Sequence, residues 1–378
     1  MNKYTLNKVD LIRGGRPFFE KLFELIDSAK SSIHLQTYIF SDDTTGTVIA
    51  DALIRAARKK VKVYLLVDGY GSQGLSGSFI KKLKDGGVHF RLFEPLFTSK
   101  HFYFGRRLHH KVIVVDTLRS LVGGMNIADR YNDLPGQPAW FDVALYAEGE
   151  ISARLHSICE SLWSNKRAAY LNRGETAEET PKASLHPVRI RRNDWVNRKH
   201  EVRNTYSQFF RKAQETITIV CSYFLPGKIF RSQIKRALRR GVAVKVVLTG
   251  LSDVRIAKYA ERYLYRWMLR NGIQLYEYQP AMLHAKMAIA DSEKLTVDSY
   301  NINNISEFVS IEMNLEVNSK AFVTKVQKLV DDMIAKDCRQ IEPSFFRANI
   351  LGQLLQWVSF QAIRLILTVT TFYFRKEE

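Results

Sequence analysis

The chain carries the same short motif twice, and this duplication limits the architectures into which it can fold. The segments His109-His-Lys-Val-Ile-Val-Val-Asp116 and His284-Ala-Lys-Met-Ala-Ile-Ala-Asp291 both read H-x-K-x-x-x-x-D, and their histidines are 175 residues apart. Small residues and an asparagine follow each copy, in Gly123-Gly-Met-Asn126 and in Asp298-Ser-Tyr-Asn301. Because each half has the length of a domain, the repeat predicts two duplicated domains that share one site.

The hydrophobic pattern predicts the same order of strands and helices in both halves. Short apolar, β-branched runs are typical of buried strands, and the amphipathic segments between them are typical of helices. Strands that alternate with helices predict an α/β fold, in which each domain is a mixed sheet flanked by helices and one active site lies at the interface. The predicted elements are strand 32–40, helix 48–58, strand 61–67, helix 79–83 and strand 88–93 in the first half, and strand 216–224, helix 229–240, strand 242–248, helix 257–270 and strand 273–278 in the second.

The composition indicates where the halves are joined. A first half is predicted at 1–171, a linker at 172–194, a second half at 195–342 and an apolar C-terminal tail at 343–378. Within the linker, 174–184 is polar and typical of a loop. A basic stretch follows, which would either bind phosphate groups or form a solvated surface; it contains Arg189, Arg191, Arg192, Arg198, Lys199 and Arg203.

Each motif is predicted to form a short buried strand, and this determines where its side chains point. Side chains alternate between the two faces of a strand, so the histidine and the lysine of each motif should point the same way. The aspartate of each motif falls on the opposite face, and we expect it to anchor a turn rather than to touch a substrate. The additional His110 should likewise point away from His109.

The repeated residue types suit chemistry at a phosphodiester. Two histidines supply a nucleophile and a proton donor, whereas two lysines and two amides supply fixed positive charge and hydrogen bonds. The small-residue turns would let the backbone approach a ligand closely, and Asn126 and Asn301 would offer their amides there. A single H-x-K would be more simply explained by a structural histidine, but the second copy with its own asparagine favours a site.

The charge and the cysteines restrict the partner and the compartment. A formal net charge of +19 and an isoelectric point of about 9.7 favour a polyanionic partner, either nucleic acid or an anionic membrane. The scattered Cys159, Cys221 and Cys338 argue against a disulfide framework and a zinc site and fit a reducing compartment. The first residues contain no apolar run, so neither a signal peptide nor an N-terminal membrane anchor is expected.

Two apolar segments outside the motifs favour the membrane. Residues 350–374 are dense in large apolar side chains but are interrupted by Gln353, Gln356, Gln361 and Arg364. A spanning helix needs about 20 mostly apolar residues, so this segment is predicted to be an interfacial helix, with packing into the core as the alternative. The aromatic segment 96–107 directly precedes the first motif and is a candidate for the rim of the site.

The paired motifs with their trailing asparagines resemble those of the phospholipase D superfamily. Within it, residues 8–340 are similar to bacterial cardiolipin synthases of the type without N-terminal transmembrane helices. The resemblance implies two duplicated phospholipase D-like α/β domains with one active site between them. The supporting stretches are Tyr38–Phe40 with Asp43 and Gly46, Leu66–Ser72, Gly123–Asn126, Trp140–Asp142 with Glu148 and Gly149, Tyr223–Gly227 and Ile311–Val317.

The resemblance implies a two-step phosphoryl transfer through a phosphohistidine. By analogy His109 is the nucleophile and His284 the general acid and base, although the sequence is equally compatible with the reverse. The lysines and asparagines of the motifs would hold the non-bridging oxygens. Two carboxylates, Asp142 and Glu316, match those that orient each histidine in the family. With that much fixed positive charge, neither a metal nor another cofactor is required.

The candidate site combines the motifs with these assignments. The predicted catalytic residues are His109, Lys111, Asp116, Asn126, Asp142, His284, Lys286, Asp291, Asn301 and Glu316, and the predicted substrate-binding residues are Gly124 and Ser299. One departure from the family pattern is Asp298, which stands where the family usually has glycine. Its carboxylate would repel a phosphate unless it points away.

The implied reaction transfers a phosphatidyl group between two phosphatidylglycerols and yields cardiolipin and glycerol. The alternatives are a phospholipase D that uses water, a nuclease or other phosphodiesterase, and a non-catalytic lipid- or nucleic-acid-binding protein. The apolar segments make nucleic acid an unlikely partner, and the intact histidines and lysines argue against a non-catalytic role. The expected partner is an anionic membrane of phosphatidylglycerol and cardiolipin, with the enzyme peripheral on the cytoplasmic side of the bacterial inner membrane. The oligomeric state stays open.

Overall fold

The chain divides into two compact units. In a computed structural model, the structure describes residues 3–95, 106–165, 184–297, 299–303, 310–346 and 350–375. The first unit contains residues 1–191, 297–299 and 311–317, and the second contains 192–296, 300–310 and 318–378. The aromatic segment up to residue 105, the polar loop up to residue 183 and Asp298 lie outside the described residues. The predicted domain boundaries stay a prediction.

The first unit is built on a mixed sheet. Strands β2, β3 and β4 are parallel, and beyond β2 the strands β6, β7, β8, β1 and β9 follow in that order, each antiparallel to its neighbour. The first motif strand, β6, is therefore central and is buried along its whole length. The elements are β1 (Thr5–Arg13), α1 (Arg16–Asp27), β2 (Ser32–Thr37), α2 (Thr44–Arg58), β3 (Lys62–Asp68), α3 (Gly77–Asp85), β4 (His89–Phe93), β5 (Arg107–Leu108), β6 (Lys111–Val115), β7 (Arg119–Gly123), β8 (Val143–Gly149), α4 (Glu150–Ser164) and β9 (His186–Asp194), whose last three residues belong to the second unit.

The second unit repeats the part of this sheet that surrounds the motif. Strands β11, β12 and β13 are parallel, β14 is antiparallel to β11, and β17 is antiparallel to β13. The remaining elements are β10 (Lys199–His200), α5 (Glu201–Lys212), β11 (Thr216–Val220), α6 (Lys228–Arg239), β12 (Ala243–Thr249), α7 (Arg255–Arg270), β13 (Gln274–Tyr278), β14 (Met287–Ala290), β15 (Lys294–Val297), β16 (Ser310–Asn318), α8 (Lys320–Asp337), β17 (Cys338–Gln340) and α9 (Ile350–Arg375). Residues 311–317 of β16 belong to the first unit, where this strand pairs with β5 and β9. The predicted duplicated α/β fold is confirmed.

The local sequence determines where helix α2 begins. Asp43 is the N-cap residue, and its side chain accepts a hydrogen bond from the backbone N–H of Gly46 at 2.9 Å. A Cβ atom added to Gly46 would lie 1.8 Å from the carbonyl oxygen of Ser41. Only glycine fits at position 46. The N-cap bond and this lack of space explain why Asp43 and Gly46 occur together at the start of α2. The helix then buries Ile49, Leu53 and its small residues against the sheet.

Part of the stretch predicted as a linker forms a strand. Residues 186–194 form strand β9, which pairs with β1 so that Val188 lies opposite Thr5. Val188 and Ile190 are buried, and the arginines on either side of Ile190 conceal this alternation in the sequence. A separate prediction, that the C-terminal apolar segment is helical, is confirmed by α9. None of the helices in the described part of the chain combines the length and the hydrophobicity needed to cross a membrane.

His34 makes the stability of the first unit dependent on pH. Its buried ring stacks on Tyr64 at 4.7 Å, and burial together with the charge of His156 lowers its pKa from 6.5 to about 3. Glu160 lies 3.3 Å from its Nε2, but that carboxylate is 37% exposed and therefore screened by solvent. Below pH 6.5 the unfolded chain binds a proton that the folded chain does not, so the stability is complete above this pH and is lost progressively towards pH 3.

We expect the substitution His34→Phe to remove this part of the acid sensitivity. Between pH 7.5 and pH 4.5 the wild-type protein should lose about 2–3 kcal/mol more of its free energy of unfolding than the variant does. Urea unfolding at the two pH values measures the difference. An equal loss in both proteins would assign the acid sensitivity to other groups.

Candidate active site

His109 lies in the short gap between strands β5 and β6. Hydrogen bonds fix both its backbone and its ring. Its N–H is within hydrogen-bond distance of the carbonyls of Arg107 and Ile311, at 3.0 Å each. Its Nδ1 lies 3.0 Å from both carboxylate oxygens of Glu312, a fully buried side chain. A carboxylate at Nδ1 holds the proton of the neutral imidazole there, so the lone pair is on Nε2, the atom suited to attack phosphorus.

Glu312 is in turn fixed by Ser299. The Ser299 Oγ donates a hydrogen bond to Glu312 Oε2 at 2.5 Å, and both side chains are buried. The structure thus gives Ser299 a supporting role, and its contact with substrate stays a prediction. Glu312 was not predicted. In the sequence, the alternation in β16 indicates that Glu312, Asn314 and Glu316 point to the same face, and all three are buried. Alternation does not reveal which of these side chains contacts a histidine.

Glu316 contacts a tyrosine and two arginines. Its Oε1 accepts hydrogen bonds from Tyr4 at 2.5 Å and from Arg189 at 2.7 Å, and its Oε2 lies 3.8 Å from Arg191. Four residues along a strand span about 13 Å, so Glu316 cannot substitute for Glu312. The carboxylate in contact with the first motif histidine is Glu312, and the orientation of a histidine by Glu316 stays a prediction that these contacts do not support. The same contacts show that two arginines of the basic stretch are engaged by a carboxylate.

Each motif lysine folds back on its own histidine. Lys111 Nζ donates to the backbone carbonyl of His109 at 2.6 Å, and Lys286 Nζ donates to that of His284. The Tyr38 ring lies 5.0 Å from the His109 ring and 5.5 Å from Lys111 Nζ, so these side chains share one face, as expected from alternation. Both lysines are buried, and a buried ammonium group acts on nearby charge more strongly than one in water.

The two motif asparagines are oriented by hydrogen bonds to their amide oxygens. Asn126 Oδ1 accepts from the N–H of Ile39 at 3.0 Å, and Asn301 Oδ1 accepts from Ser222 Oγ at 2.9 Å. Asn126 Nδ2 also donates to the Tyr131 hydroxyl at 2.8 Å. In both units the amide oxygen is therefore used by the protein, and the amide nitrogen is the group suited to donate to a phosphate. Donation to substrate stays a prediction for both residues.

A matching hydrogen bond holds the residue before each motif histidine. Asp68 Oδ2 accepts from the N–H of Leu108 at 2.8 Å, and Thr249 Oγ1 accepts from the N–H of Leu283 at 3.1 Å. Asp68 and Thr249 end strands β3 and β12, and both are buried. Sequence reasoning missed this pair, although each residue ends a predicted strand and is followed by glycine. In both units, a side chain at the end of a parallel strand therefore holds the backbone of the residue that precedes the motif histidine.

Asp142 is buried beside the glycine turn that follows the first motif. Its Oδ1 accepts a hydrogen bond from the N–H of Val143 at 2.8 Å. A Cβ atom on Gly124 would lie 2.5 Å from the same carboxylate, so glycine is required there to make room for Asp142. On the sequence alone, glycine at position 124 is expected to serve another purpose, which is to let the backbone approach a ligand. That approach stays a prediction. The orientation of an imidazole by Asp142 likewise stays a prediction.

The aspartates that end the motifs anchor turns. Asp116 accepts hydrogen bonds from the backbone N–H groups of residues 30–32 at 2.7–2.9 Å, and Asp291 accepts from those of residues 214–216 at 2.8–3.2 Å. Both have a left-handed backbone, with φ of 52° and 54°. These contacts agree with the turn role expected from strand alternation. A direct catalytic role for Asp116 and Asp291 stays a prediction that these contacts do not support.

Replacing Asp116 with alanine should therefore lower stability and leave catalysis intact. Burial raises the pKa of Asp116, but the hydrogen bonds from residues 30–32 outweigh burial and hold the pKa below its usual value. Loss of the acceptor leaves backbone N–H groups unsatisfied, at a cost of about 2–3 kcal/mol. Chemical denaturation measures this cost, and Asp291→Ala should give a similar one. A kcat reduced more than about tenfold in the folded variant would contradict the turn role.

His110 is structural, as expected from strand alternation. Its Nε2 lies 2.9 Å from Gln36 Oε1, and the side chain is fully buried. Within the ranges that the structure describes, no group of three or more histidine, cysteine, aspartate or glutamate side chains could hold a metal ion.

The duplicated mixed sheets, each with an H-x-K motif beside its parallel strands, define a protein of the phospholipase D type. The family described as "Cardiolipin synthase, PLD-like domain" matches residues 22–163 and 206–334, and the chain belongs to this family. The predicted resemblance is thereby confirmed.

Relatives agree with this family, and a solved structure shares the fold. The chain is 31% identical over 341 residues to cardiolipin synthase B of Shigella flexneri, an alignment that covers 89% of this chain and 82% of that protein. Cardiolipin synthase B of Escherichia coli K12 is 30% identical with the same coverage. The crystal structure of phosphatidylserine synthase from Haemophilus influenzae Rd KW20 has a TM-score of 0.75 at 15% identity and covers 98% of this chain and 97% of that chain, which shows a shared fold.

Proposed function

We propose that the protein is a cardiolipin synthase, which transfers a phosphatidyl group from one phosphatidylglycerol to another and releases glycerol. The observation that carries the proposal is His109 held by the buried Glu312 at 3.0 Å, within a chain that contains both H-x-K motifs intact. The relatives named cardiolipin synthase B support it, because their alignment covers 89% of this chain.

In the first proposed step, His109 Nε2 attacks the phosphorus of one phosphatidylglycerol. The P–N bond forms, the P–O bond to the head-group glycerol breaks, and His284 gives its proton to the leaving oxygen. Glu312 stabilises the positive charge that develops on the His109 ring. Lys111 and Lys286 offset the negative charge on the phosphoryl oxygens in the transition state.

In the second proposed step, the neutral His284 removes a proton from a hydroxyl group of the second phosphatidylglycerol. The oxygen of this hydroxyl attacks the phosphohistidine, the P–N bond breaks and cardiolipin leaves. Both histidines then have their original protonation states. The two imidazoles must therefore begin each cycle in opposite protonation states. The proposal assigns no step to a metal or another cofactor.

The proposed partner is an anionic bilayer of phosphatidylglycerol and cardiolipin, with the enzyme peripheral on the cytoplasmic side of the bacterial inner membrane. The net charge of +19 supports an anionic surface, since each lysine or arginine near such a surface contributes about 1 kcal/mol. An alcohol acceptor also requires that water be kept from the phosphohistidine, so the approach to the site should be apolar.

The test is mass spectrometry of the lipids formed when the purified protein is incubated with phosphatidylglycerol vesicles. Cardiolipin and glycerol in equal amounts, absent with His109→Ala and with His284→Ala, are expected. Phosphatidic acid in place of cardiolipin would mean that water is the acceptor and that the protein is a phospholipase D. Turnover that persists in both variants would overturn the two-histidine mechanism.

A further inference from the structure

Over residues 351–366, whose side chains are described, helix α9 packs on α7 through one face. Phe360 stacks on Tyr263 with 4.7 Å between ring centres and 30° between ring planes, and Arg266 donates to Gln353 Oε1 at 3.0 Å. Ser359, next to Phe360, is 4% exposed. These contacts fix α9 on the second unit and define its inner face.

The outer face of α9 is an apolar stripe exposed to solvent. Its residues follow one another at i, i+3, i+4, i+7 and i+14, which places them on the same side of the helix and away from Phe360. The stripe extends for about 21 Å along the helix axis. A contiguous exposed apolar surface of this kind on a folded protein indicates a binding surface. The apolar stripe consists of Leu351 (77% exposed), Leu354, Leu355, Val358 and Leu365 (65% exposed).

Arginines lie along the side of α9 that faces α7, at the margin of the apolar stripe. Arg266 and Arg270 are exposed on α7, and Arg364 is exposed on α9 itself. Arg231 on α6 lies over the Trp267 ring of α7 at 6.0 Å, and burial, followed by the positive charge of Arg364, lowers the pKa of Arg231. An anion beside these guanidinium groups would accept charge-assisted hydrogen bonds from them.

We infer that the apolar stripe and its flanking arginines form a membrane-docking surface that holds α9 in the plane of an anionic phospholipid bilayer. The leucines and Val358 would lie among the acyl chains at the boundary of the head groups, and the guanidinium groups among the phosphates. The inference deepens the proposed function and rests on it only for the choice of phosphatidylglycerol as the lipid.

Charge favours a bilayer over a second copy of the chain on this surface. A symmetric contact between two copies would bring the same arginines together from both sides. The repulsion would be strong because each copy also has a net charge of +19. An anionic lipid surface supplies instead both an apolar layer and the phosphates that neutralise the arginines.

The test measures how much protein sediments with vesicles, in the His109→Ala background so that no lipid is consumed. Vesicles contain phosphatidylglycerol and phosphatidylcholine, or phosphatidylcholine alone. Changing Leu351, Leu354 and Val358 together to glutamine should weaken binding to the phosphatidylglycerol vesicles at least about tenfold, because each lost apolar contact lowers the partition coefficient. The matched control is Leu329→Gln, whose side chain is 57% exposed on α8, and it should bind as the parent protein does.

A second variant tests the contribution of the arginines to vesicle binding. Arg231→Gln with Arg364→Gln should weaken binding about tenfold and reduce its dependence on salt, because two charges near the surface are removed. Circular dichroism monitors folding of every variant, and Leu351→Gln alone, expected to weaken binding about threefold, serves if the triple variant does not fold. Equal binding by the stripe variant and the control would overturn the inference. So would a dimer in sedimentation velocity that the stripe substitutions disperse.

The result is independent of the reaction. If the active protein makes no cardiolipin but the stripe variant loses vesicle binding, the docking surface stands and the proposed function fails. If cardiolipin forms and the stripe variant binds vesicles as the control does, the proposed function stands and the docking surface fails.

Discussion

His109→Ala is expected to lower the rate of cardiolipin formation by at least about 10⁴-fold, because it removes the group proposed to form the covalent intermediate. His109 lies against Glu312 and Tyr38 and beside Lys111, so a truncated side chain leaves these groups without the imidazole on which they act. Initial rates on phosphatidylglycerol in detergent micelles measure the loss. Acid-quenched protein should also lack the phosphatidyl adduct that mass spectrometry would find on the wild-type peptide containing residue 109.

Three companion variants make this result specific. His284→Ala should lose activity by a comparable factor, and the double variant should be little worse than either, because residues that act as a unit are not additive. His89→Ala removes an exposed histidine of β4 outside both motifs and should keep the wild-type rate. A His109→Ala protein with more than about one hundredth of the wild-type rate would show that another residue is the nucleophile.

Glu312→Gln is expected to lower kcat by about 10²–10⁴-fold with little change in KM. The glutamine side chain has nearly the same shape, but it cannot stabilise the positive charge on His109, and its amide can present a donor where an acceptor is needed. Ser299 donates to the same carboxylate, so it would also lose a charged acceptor. Steady-state kinetics over a range of phosphatidylglycerol concentrations in micelles separates kcat from KM.

Glu316→Gln is the matched control, with the same chemical change four residues further along β16. It weakens the contacts with Arg189 and Tyr4 and should therefore lower the free energy of unfolding by about 1–3 kcal/mol. Its kcat in the folded state should stay within about threefold of wild type. If Glu316→Gln abolished turnover and Glu312→Gln did not, the assignment by resemblance would be right and the one by geometry wrong.

Much of the fold was predictable because its signals are local in sequence. The β-branched run 111–115 is central strand β6, and the order of strands and helices in the two halves follows from apolar periodicity alone. Strand β9 escaped prediction because arginines alternate with its two buried apolar residues. The turn role of Asp116 and Asp291 and the structural role of His110 also followed from alternation.

The sequence by itself determined the duplicated α/β fold, the family and the identity of the motif histidines, lysines and asparagines, because these depend on patterns within a few residues. Only the tertiary structure decided which carboxylate meets His109. Glu312 is 203 residues away in the chain, and alternation in β16 allowed Glu316 equally well until the position of the strand was known. The two faces of α9 were decided in the same way. Apolar residues occur on all sides of that helix, although Gln353, Gln356, Gln361 and Arg364 interrupt them, and packing against α7 distinguishes the buried face from the exposed one.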